Sequence, residues 1–198
     1  MDSGAIVLCG GKSTRMGTPK AMLPFGPETM LQRVVRLLAD VVSPIVVVAA
    51  VGQPLPELPR QVILTRDEHE ERGPLEGLRA GLKALPPHVD AAYVTSCDVP
   101  LLEPAFVREM LDFANGFDIA VMEIDGFPHP LSAVYRCAVL SHVEALLAAD
   151  RLRPAFLFDS VKTRRVRAEE ITADPQLRTL RNLNTRAEYE RALSDAGF

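Results

Sequence analysis

The sequence lacks the features that mark metal-cluster, disulfide-rich, secreted or membrane proteins. Its three cysteines, Cys9, Cys97 and Cys137, lie far apart, and no CxxC or Cys/His spacing is present. Neither a zinc site nor a disulfide framework is therefore indicated. The N-terminus has no basic segment before its first apolar run, and all apolar runs are too short to span a bilayer. We expect a reduced, cytoplasmic setting and no membrane partner.

No excess of positive charge is present that would attract nucleic acid. The 198 residues include 22 Lys and Arg against 26 Asp and Glu, which gives a net charge of -4. Nucleic acid is therefore not an expected partner, and an anionic ligand must be bound by a local group of basic side chains. The length and the apolar content of 47% are typical of one soluble domain, which we predict over residues 1–198.

Short apolar runs alternate along the chain with stretches of helical periodicity. Strands are predicted at residues 5–9, 45–50, 61–65, 91–96, 118–122, 131–136 and 163–167. Helices are predicted at residues 28–40, 75–85, 104–114, 139–149 and 154–160 and from about residue 185 onwards. This alternation predicts an α/β fold, a three-layer α/β/α sandwich with a Rossmann-like, mostly parallel sheet. Ligands of such sheets bind beyond the carboxyl ends of the strands, where residues 10–20, 67–77 and 98–100 are expected.

The segment after the first predicted strand has the composition of a phosphate-binding loop. It reads LCGGKSTRMGTPK over residues 8–20. Its glycine pair lets the backbone approach a phosphate chain and direct N–H groups at it. Arg15 can bind phosphate oxygens through two parallel hydrogen bonds, and Lys20 adds a compact charge where negative charge develops during transfer. A surface turn with two solvated cations is the alternative for a bare glycine pair, and the complete constellation disfavours it.

Two common phosphate-binding motifs are absent from this segment. A P-loop requires glycine five residues before Gly11, where the chain has Ile6. A P-loop also continues directly into a helix, which Gly17 and Pro19 would interrupt. The dinucleotide-binding fingerprint GxGxxG is missing as well. The segment therefore belongs to another class of phosphate-binding loop.

The pattern LxGGxSxRMGxxK closely resembles the opening motif of the nucleotidyltransferases that build molybdenum dinucleotide cofactors, above all the molybdenum cofactor guanylyltransferase family. The resemblance extends from residue 5 to residue 189. It implies a fold of the nucleotide-diphospho-sugar transferase type, in which residues 1 to about 115 bind the nucleotide and the remainder binds the acceptor. Cysteine at position 9, where alanine is usual, is a small departure. The resemblance implies nucleotide contacts from Leu8, Cys9, Gly10 and Gly11, and catalytic phosphate contacts from Arg15 and Lys20.

Asp98 follows the predicted strand 91–96 in the segment TSCDVP, where Pro100 cannot continue the sheet ladder. A carboxylate at that edge is well placed to hold Mg²⁺, which takes one or two carboxylates and completes its shell with waters and phosphates. A solvated or helix-capping aspartate is the alternative. The CDxP pattern is similar to the family's metal-binding motif, which implies that Asp98 is catalytic, binds Mg²⁺ and contacts the nucleotide.

Asp67 and the GPLEG segment that follows it are similar to the base-binding region of the family. The resemblance implies that Asp67 contacts guanine and that Gly73 and Gly77 allow close approach to the nucleotide. A carboxylate can accept hydrogen bonds from the N1–H and the 2-amino group of guanine. The alternative is a solvated aspartate within the acidic run DEHEE.

Two segments of the second half resemble acceptor-binding regions of the family. The stretch FPHPLSAVY is similar to a segment that borders the pterin, and it implies that His129 donates to a phosphate or pterin oxygen. The stretch NLNT is similar to an NxNTP motif, which assigns Asn182 and Asn184 to the acceptor side. The alternatives are a loop histidine ordered by two prolines, and an N-cap at Asn184 or Thr185.

The resemblance implies a function, namely transfer of GMP from GTP to molybdopterin or molybdenum-molybdopterin with Mg²⁺ as cofactor. Because Ala50 stands where guanine-specific members often have asparagine, with Gln53 nearby, CTP stays open as the nucleotide. A sugar phosphate or other phosphorylated acceptor, and a non-catalytic nucleotide-binding module, are further alternatives. Proteins that deliver or accept the cofactor are expected as transient partners. The basic residues Arg164, Arg165 and Arg167 form either a wall for the acceptor's phosphate or a solvated strand face.

Overall fold

The computed structural model describes residues 2–10, 19–67, 69 and 72–198. The strands of this part are β1 (Ser3–Leu8), β2 (Pro24–Phe25), β3 (Glu28–Thr29), β4 (Ile45–Ala50), β5 (Ile63–Asp67), β6 (Ala91–Ser96), β7 (Ile119–Ile124), β8 (Phe127–Arg136) and β9 (Thr163–Arg167). Its helices are α1 (Met30–Ala39), α2 (Pro74–Ala84), α3 (Pro104–Phe113), α4 (Leu140–Ala148), α5 (Ala155–Phe158) and α6 (Arg186–Asp195). Among the described residues, no helix is both long and apolar enough to cross a membrane.

Seven of these strands form the central sheet, in the order β5-β4-β1-β6-β8-β7-β9. The strands β1, β4, β5 and β6 are parallel to one another, and β9 is parallel to β7. The strand β8 is antiparallel to both of its neighbours, β6 and β7. The predicted mostly parallel α/β sheet is thus confirmed, and the carboxyl ends of the four parallel strands lie along one edge.

Helices cover both faces of the sheet because its central strands are apolar on both sides. In β1, Ala5 and Val7 pack in one core with residues of α1 and α3. Ile6 and Leu8 pack in a second core with residues of α2 and α4. One continuous apolar run therefore serves two cores, and the layers form the predicted three-layer sandwich.

Gly81 allows α2 to pack closely on β1. A Cβ atom at this position would lie 2.5 Å from Cγ2 of Ile6, closer than real Cβ atoms approach a neighbour. The substitution Gly81→Ala would gain about 1 kcal/mol of helix propensity, but moving the buried Ile6 side chain costs roughly 1–3 kcal/mol. We expect Gly81→Ala to lower the free energy of unfolding by about 1 kcal/mol, measured by urea unfolding. The exposed control Ser141→Ala on α4 should change it by less than about 0.5 kcal/mol, and equal effects of the two variants would contradict the close packing.

Two predicted boundaries near the edge of the sheet are shifted. Helix α1 begins at Met30 rather than at residue 28, because Thr29 is its N-cap and forms a capping box with Gln32. Strand β5 begins and ends two residues later than predicted, because its pairing with β4 continues to Asp67 opposite Ala50. Asp67 is therefore the last residue of a strand and does not follow it.

The ends of the two C-terminal helices were predicted with different success. Helix α5 covers only Ala155–Phe158 instead of residues 154–160. The hydroxyl of Ser160 donates to the carbonyl of Leu157 and thus competes with further helical bonds. Helix α6 begins after Thr185, whose predicted capping box with Glu188 is confirmed.

Strand β8 is longer than predicted, beginning at Phe127 instead of residue 131, so that His129 lies in a strand and not in a loop. In the pairing of β7 with β8, Val121 lies opposite Ala133, but the next residue, Met122, lies opposite His129. The three β8 residues 130–132 are therefore left out of this ladder and form a bulge. Pro130 has no N–H to donate, and its carbonyl accepts a 2.8 Å hydrogen bond from the Tyr135 hydroxyl. The bulge lies against the start of α2, and the two line a small cavity.

Candidate functional site

Three polar side chains from distant parts of the chain meet beyond the carboxyl end of β6. The Nζ atom of Lys20 lies 2.6 Å from Oδ2 of Asp98 and 2.7 Å from Oδ1 of Asn184. Lys20 begins a short 3₁₀ helix after the predicted phosphate loop, Asp98 lies two residues beyond β6, and Asn184 lies just before the N-cap of α6. The structure therefore brings together three residues that sequence motifs had assigned separately.

The position of this cluster is fixed by further hydrogen bonds. The hydroxyl of Ser96 donates to Oδ1 of Asp98, and the backbone N–H of Leu183 donates to the Asp98 carbonyl at 3.0 Å. Oε2 of Glu188 accepts from the backbone N–H of Asn184 at 2.8 Å. Both carboxylate oxygens of Asp98 are thus partnered, and the segment before α6 is held against the end of β6.

Asn184 and Thr185 were alternative candidates for the N-cap of α6, and the structure separates them. Thr185 caps the helix by accepting from the backbone N–H of Glu188. Asn184 instead directs its side-chain oxygen at Lys20. The segment therefore contributes one residue to the helix end and one to the cluster.

The charges of the cluster are mostly shielded from water. The side chains of Lys20 and Asp98 are 18% and 12% exposed. Charge pairs in such surroundings are screened less by salt than surface pairs are. Two side-chain oxygens converge here on one cationic group, an arrangement that can also bind a hard divalent cation and the phosphates it accompanies.

The first turn of α2 packs against the end of β1, next to the start of the predicted phosphate loop. A Cβ atom on Gly77 would lie 3.2 Å from the side chain of Leu8, so glycine lets α2 pack here without a shift of that side chain. Gly73 has a φ of 74° and precedes Pro74 at the first position of the helix. These features bring the start of α2 close to Leu8, and the close approach of Gly73 and Gly77 to the nucleotide stays a prediction.

Asp67 lies at the same edge, at the end of β5 and opposite Ala50 of β4. Its Oδ1 atom accepts a 3.1 Å hydrogen bond from the backbone N–H of His69. Burial raises the pKa of the Asp67 carboxyl, and the nearby charge of Glu76 acts in the same direction, while the bond from His69 opposes them. Asp67 is therefore a half-buried acceptor and not a solvated member of an acidic run.

Gln53 holds the start of the loop after β1. Its Nε2 donates to the Cys9 carbonyl at 2.9 Å, and its Oε1 accepts from the Ala50 N–H at 3.0 Å. Arg66 fixes the same turn by donating to the carbonyls of Ala50 and Gln53 at 2.8 and 3.1 Å. The amide of Gln53 thus positions backbone at the end of β4 and after β1.

The thiols of Cys9 and Cys97 lie in one buried cluster. Hydrogen bonding to Cys97 and then burial raise the pKa of the Cys9 thiol well above its usual value. Cys9 is therefore a protonated, buried thiol, and nucleophilic chemistry at this position is disfavoured.

Of the remaining predicted site residues, those that the structure describes do not join the cluster of Lys20. Gly11 and Arg15 lie outside the described residues. Gly10 is exposed, with nothing within 4 Å of the place of a Cβ atom. Asn182 is exposed and lines a cavity of about 650 Å³ beside α6. His129 lies half-buried in β8, and burial lowers the pKa of its imidazole, so that it is neutral at pH 7.

The three arginines of β9 are paired with carboxylates. Arg164 contacts Glu170, and Arg165 contacts Glu123 and Asp159. Arg167 lies 4.0 Å from Glu169. These pairs favour the interpretation of β9 as a solvated, ion-paired strand face over a wall for the acceptor's phosphate.

Sequence reasoning missed Ser96 and Glu76, and it noticed Gln53 only as a neighbour of Ala50. Ser96 precedes Asp98 by two residues, a spacing at which a hydroxyl can reach a carboxylate. Glu76 is a charged residue at the third position of an otherwise apolar helix start. That contrast is a signal in the sequence for a special role of Glu76, because charged side chains are almost never fully buried unless they are paired.

Comparison with known proteins agrees with this geometry. A family model described as the MobA-like NTP transferase domain matches residues 5–165. A probable molybdenum cofactor guanylyltransferase of Mycobacterium avium is 36% identical over 200 residues, which cover 99% of this chain and 97% of the relative. A protein of the same description from Carboxydothermus hydrogenoformans is 30% identical, with 94% and 93% covered.

Solved structures of the same fold extend the comparison. Molybdopterin-guanine dinucleotide biosynthesis protein A from Archaeoglobus fulgidus superimposes with a TM-score of 0.78 at 18% identity and 98% coverage of both chains. The 2-C-methyl-D-erythritol 4-phosphate cytidylyltransferase from Thermus thermophilus gives 0.71 at 16% identity, again with 98% of both chains. These likenesses establish the nucleotidyltransferase type of fold. Together with the family match over most of its length and the full-length relatives, they show that this chain belongs to the MobA-like NTP transferase family.

Proposed function

We propose that the protein transfers GMP from GTP to molybdopterin, or to its molybdenum-loaded form, and releases pyrophosphate. The observation that carries the proposal is the convergence of Lys20, Asp98 and Asn184 beyond the carboxyl end of β6, where ligands of such sheets bind. The names of the full-length relatives support guanine as the base and the pterin as the acceptor.

The proposed reaction is a direct displacement at phosphorus. An oxygen of the acceptor's phosphate forms a bond to the α-phosphorus of GTP, while the bond to the β-phosphate bridging oxygen breaks and pyrophosphate leaves with the electron pair. The acceptor's phosphate is already ionised at neutral pH, so no strong general base is needed. Lys20 would stabilise the negative charge that develops, and its two hydrogen bonds hold it in place. The protonated thiol of Cys9 gives no reason to invoke a covalent intermediate.

We propose Mg²⁺ as the cofactor, with Asp98 as its protein ligand. Oδ2 of Asp98 and Oδ1 of Asn184 already converge on one cationic group, and Mg²⁺ takes oxygen ligands of this kind together with substrate phosphates. The ion would neutralise phosphate charge and align the triphosphate. Ser96 would keep the Asp98 carboxylate oriented through its hydrogen bond to Oδ1.

Asp67 is the residue that we propose to read the base. The substitution Asp67→Asn replaces an acceptor-only carboxylate by an amide with one acceptor, while guanine presents N1–H and 2-amino donors. We expect kcat/KM for GTP to fall by about 10- to 100-fold, measured by pyrophosphate release. The control Asp118→Asn alters a carboxylate that accepts from the backbone N–H of Lys162, away from this edge. An unchanged GTP preference in Asp67→Asn would remove this residue from base recognition.

The proposal as a whole is tested by pyrophosphate release with molybdopterin and each nucleoside triphosphate in turn. We expect turnover with GTP that depends on both molybdopterin and Mg²⁺. A preference for CTP would identify a cytidylyltransferase. Turnover with sugar phosphates but not with molybdopterin would show that the acceptor substrate is a sugar phosphate. Absence of turnover with every combination would favour a binding module.

We propose that the reaction takes place in the cytoplasm, with transient contacts to proteins that deliver or receive the cofactor.

A further inference from the structure

Glu76 has a buried carboxylate oxygen without a hydrogen-bond partner in the part of the chain that the structure describes. The residue occupies the third position of α2 and is 0% exposed. Its Oε1 accepts from Nε and Nη2 of Arg79. Its Oε2 is buried and has no hydrogen-bond partner among the atoms of the described structure. A buried acceptor left unsatisfied destabilises the folded state, and more so when it is charged, so a site with such an atom calls for a missing donor.

Glu76 lies in the first turn of α2, the end of this helix that faces the edge of the sheet where Asp67 lies. The negative charge of Glu76 contributes to the raised pKa of Asp67. The neighbouring Gly77 packs on Leu8 at the start of the phosphate loop. Glu76 also lines a cavity of about 210 Å³ together with His69, the residue whose backbone bonds to Asp67. The unsatisfied oxygen therefore lies at the nucleotide edge of α2 and not in the remote core.

An ordinary structural role accounts for only part of this arrangement. A carboxylate in the first turn is favoured by the helix dipole, and the pair with Arg79 neutralises the charge. Neither contact uses Oε2. A purely structural ion pair would be better satisfied with both oxygens engaged, so the second oxygen indicates a donor that comes from a ligand.

We propose that Glu76 is a second specificity-determining acceptor for the base, receiving a hydrogen bond from the 2-amino group of guanine while Asp67 accepts from N1–H. This inference rests on the proposed guanylyl transfer. Guanine presents two adjacent donors on this edge, and two carboxylates supply matching acceptors. Cytosine would place its acceptor atoms N3 and O2 against the same carboxylates, which disfavours CTP. Glu76 thus supplies base discrimination beside that of Asp67.

Inosine triphosphate separates the two carboxylates, because hypoxanthine keeps N1–H but lacks the 2-amino group. Equilibrium binding of the Mg²⁺ complexes of GTP, ITP and CTP is measured by calorimetry for the wild type and for Glu76→Gln, Asp67→Asn and Glu144→Gln. Glu144 is the matched control, since it lines the same cavity but pairs with Lys83 at the surface. These binding measurements need no molybdopterin, so the result does not depend on turnover.

We expect the wild type to bind GTP about 10-fold or more tightly than ITP. Glu76→Gln should lower the affinity for GTP to that for ITP and leave the affinity for ITP unchanged, because only the contact to the 2-amino group is altered. Asp67→Asn should lower the affinity for both nucleotides, and Glu144→Gln should lower the affinity for neither. Thermal unfolding of each variant checks that Glu76→Gln, which keeps the size of the side chain, remains folded.

Three results would overturn the inference. The first is a wild type that binds GTP and ITP equally, a measurement that needs no variant. The second is a Glu76→Gln variant that keeps the wild-type ratio of GTP to ITP affinity. The third is an equal weakening of both nucleotides, which would make Glu76 a structural residue. A wild-type preference for CTP over GTP would instead contradict the proposed function and this inference with it.

Discussion

Replacing Asp98 by asparagine is expected to reduce nucleotidyl transfer by about 10³-fold, which corresponds to roughly 4 kcal/mol of transition-state stabilisation. The amide has nearly the shape of the carboxylate, but Lys20 and Ser96 donate to different oxygens of Asp98, so the single amide oxygen keeps only one of these two bonds. It is a much weaker ligand for a hard divalent cation, because it carries no charge. The loss should therefore fall on the chemical step and on the dependence of the rate on Mg²⁺, measured by pyrophosphate release across a Mg²⁺ titration.

A matched control for this variant is Asp90→Asn. Asp90 lies just before β6 and accepts from the backbone N–H of Asp2, so it lies at the opposite end of the strand that leads to Asp98. Its substitution should leave the rate within about 2-fold of the wild type. Near-normal activity of Asp98→Asn in a folded protein would refute the metal role, and thermal unfolding would show whether the fold is retained.

Lys20→Ala is expected to lower kcat by about 10²-fold, roughly 3 kcal/mol, with a smaller change in KM for GTP. The reason is that a fixed charge beside the reacting phosphate stabilises the transition state more than the bound substrate. Lys20→Arg should recover little of this activity. A guanidinium is planar and larger than an ammonium, and it cannot meet both Asp98 and Asn184 at the 2.6 and 2.7 Å observed.

Lys83→Ala serves as the control for charge removal. Lys83 pairs with Glu144 at 2.7 Å on the surface of α2 and α4, where its side chain is 48% exposed. Removing it changes the net charge as Lys20→Ala does, but it should leave kcat unaltered. A wild-type rate in Lys20→Ala would exclude this residue from the transfer step, and an equal fall in both lysine variants would point to a general effect of charge.

The central strands of the fold could be predicted because their sequences are unambiguous. Ile45–Ala50 and Ala91–Ser96 match the predicted strands residue for residue, since a continuous run of apolar and β-branched residues fits only a strand covered on both faces. The bulged start of β8 could not be predicted. Its prolines argue against a strand, and only pairing with β7 and the bond from Tyr135 to Pro130 hold it in one.

The members of the site were easier to predict than their contacts. Lys20, Asp98 and Asn184 each lie in a motif, but a motif does not specify which atoms meet. The two hydrogen-bond partners of Lys20 are distant in sequence: Asp98 lies 78 positions away and Asn184 lies 164 positions away. Local sequence patterns give no information about contacts at such separations. Gln53 and Glu76 lie outside the motif positions, and their roles depend on backbone atoms and buried surfaces that exist only in the folded chain.

The bond between Lys20 and Asn184 also makes the docking of the C-terminal segment part of the energetics of ligand binding. Two contacts, that bond and the one from Leu183 to the Asp98 carbonyl, hold the segment before α6 at the site. A ligand that binds better when Lys20 is correctly placed must bind better when this segment is docked, and by linkage it stabilises the docked state to the same extent. Occupancy of the nucleotide site and local unfolding of the last helix are thus two measures of one equilibrium.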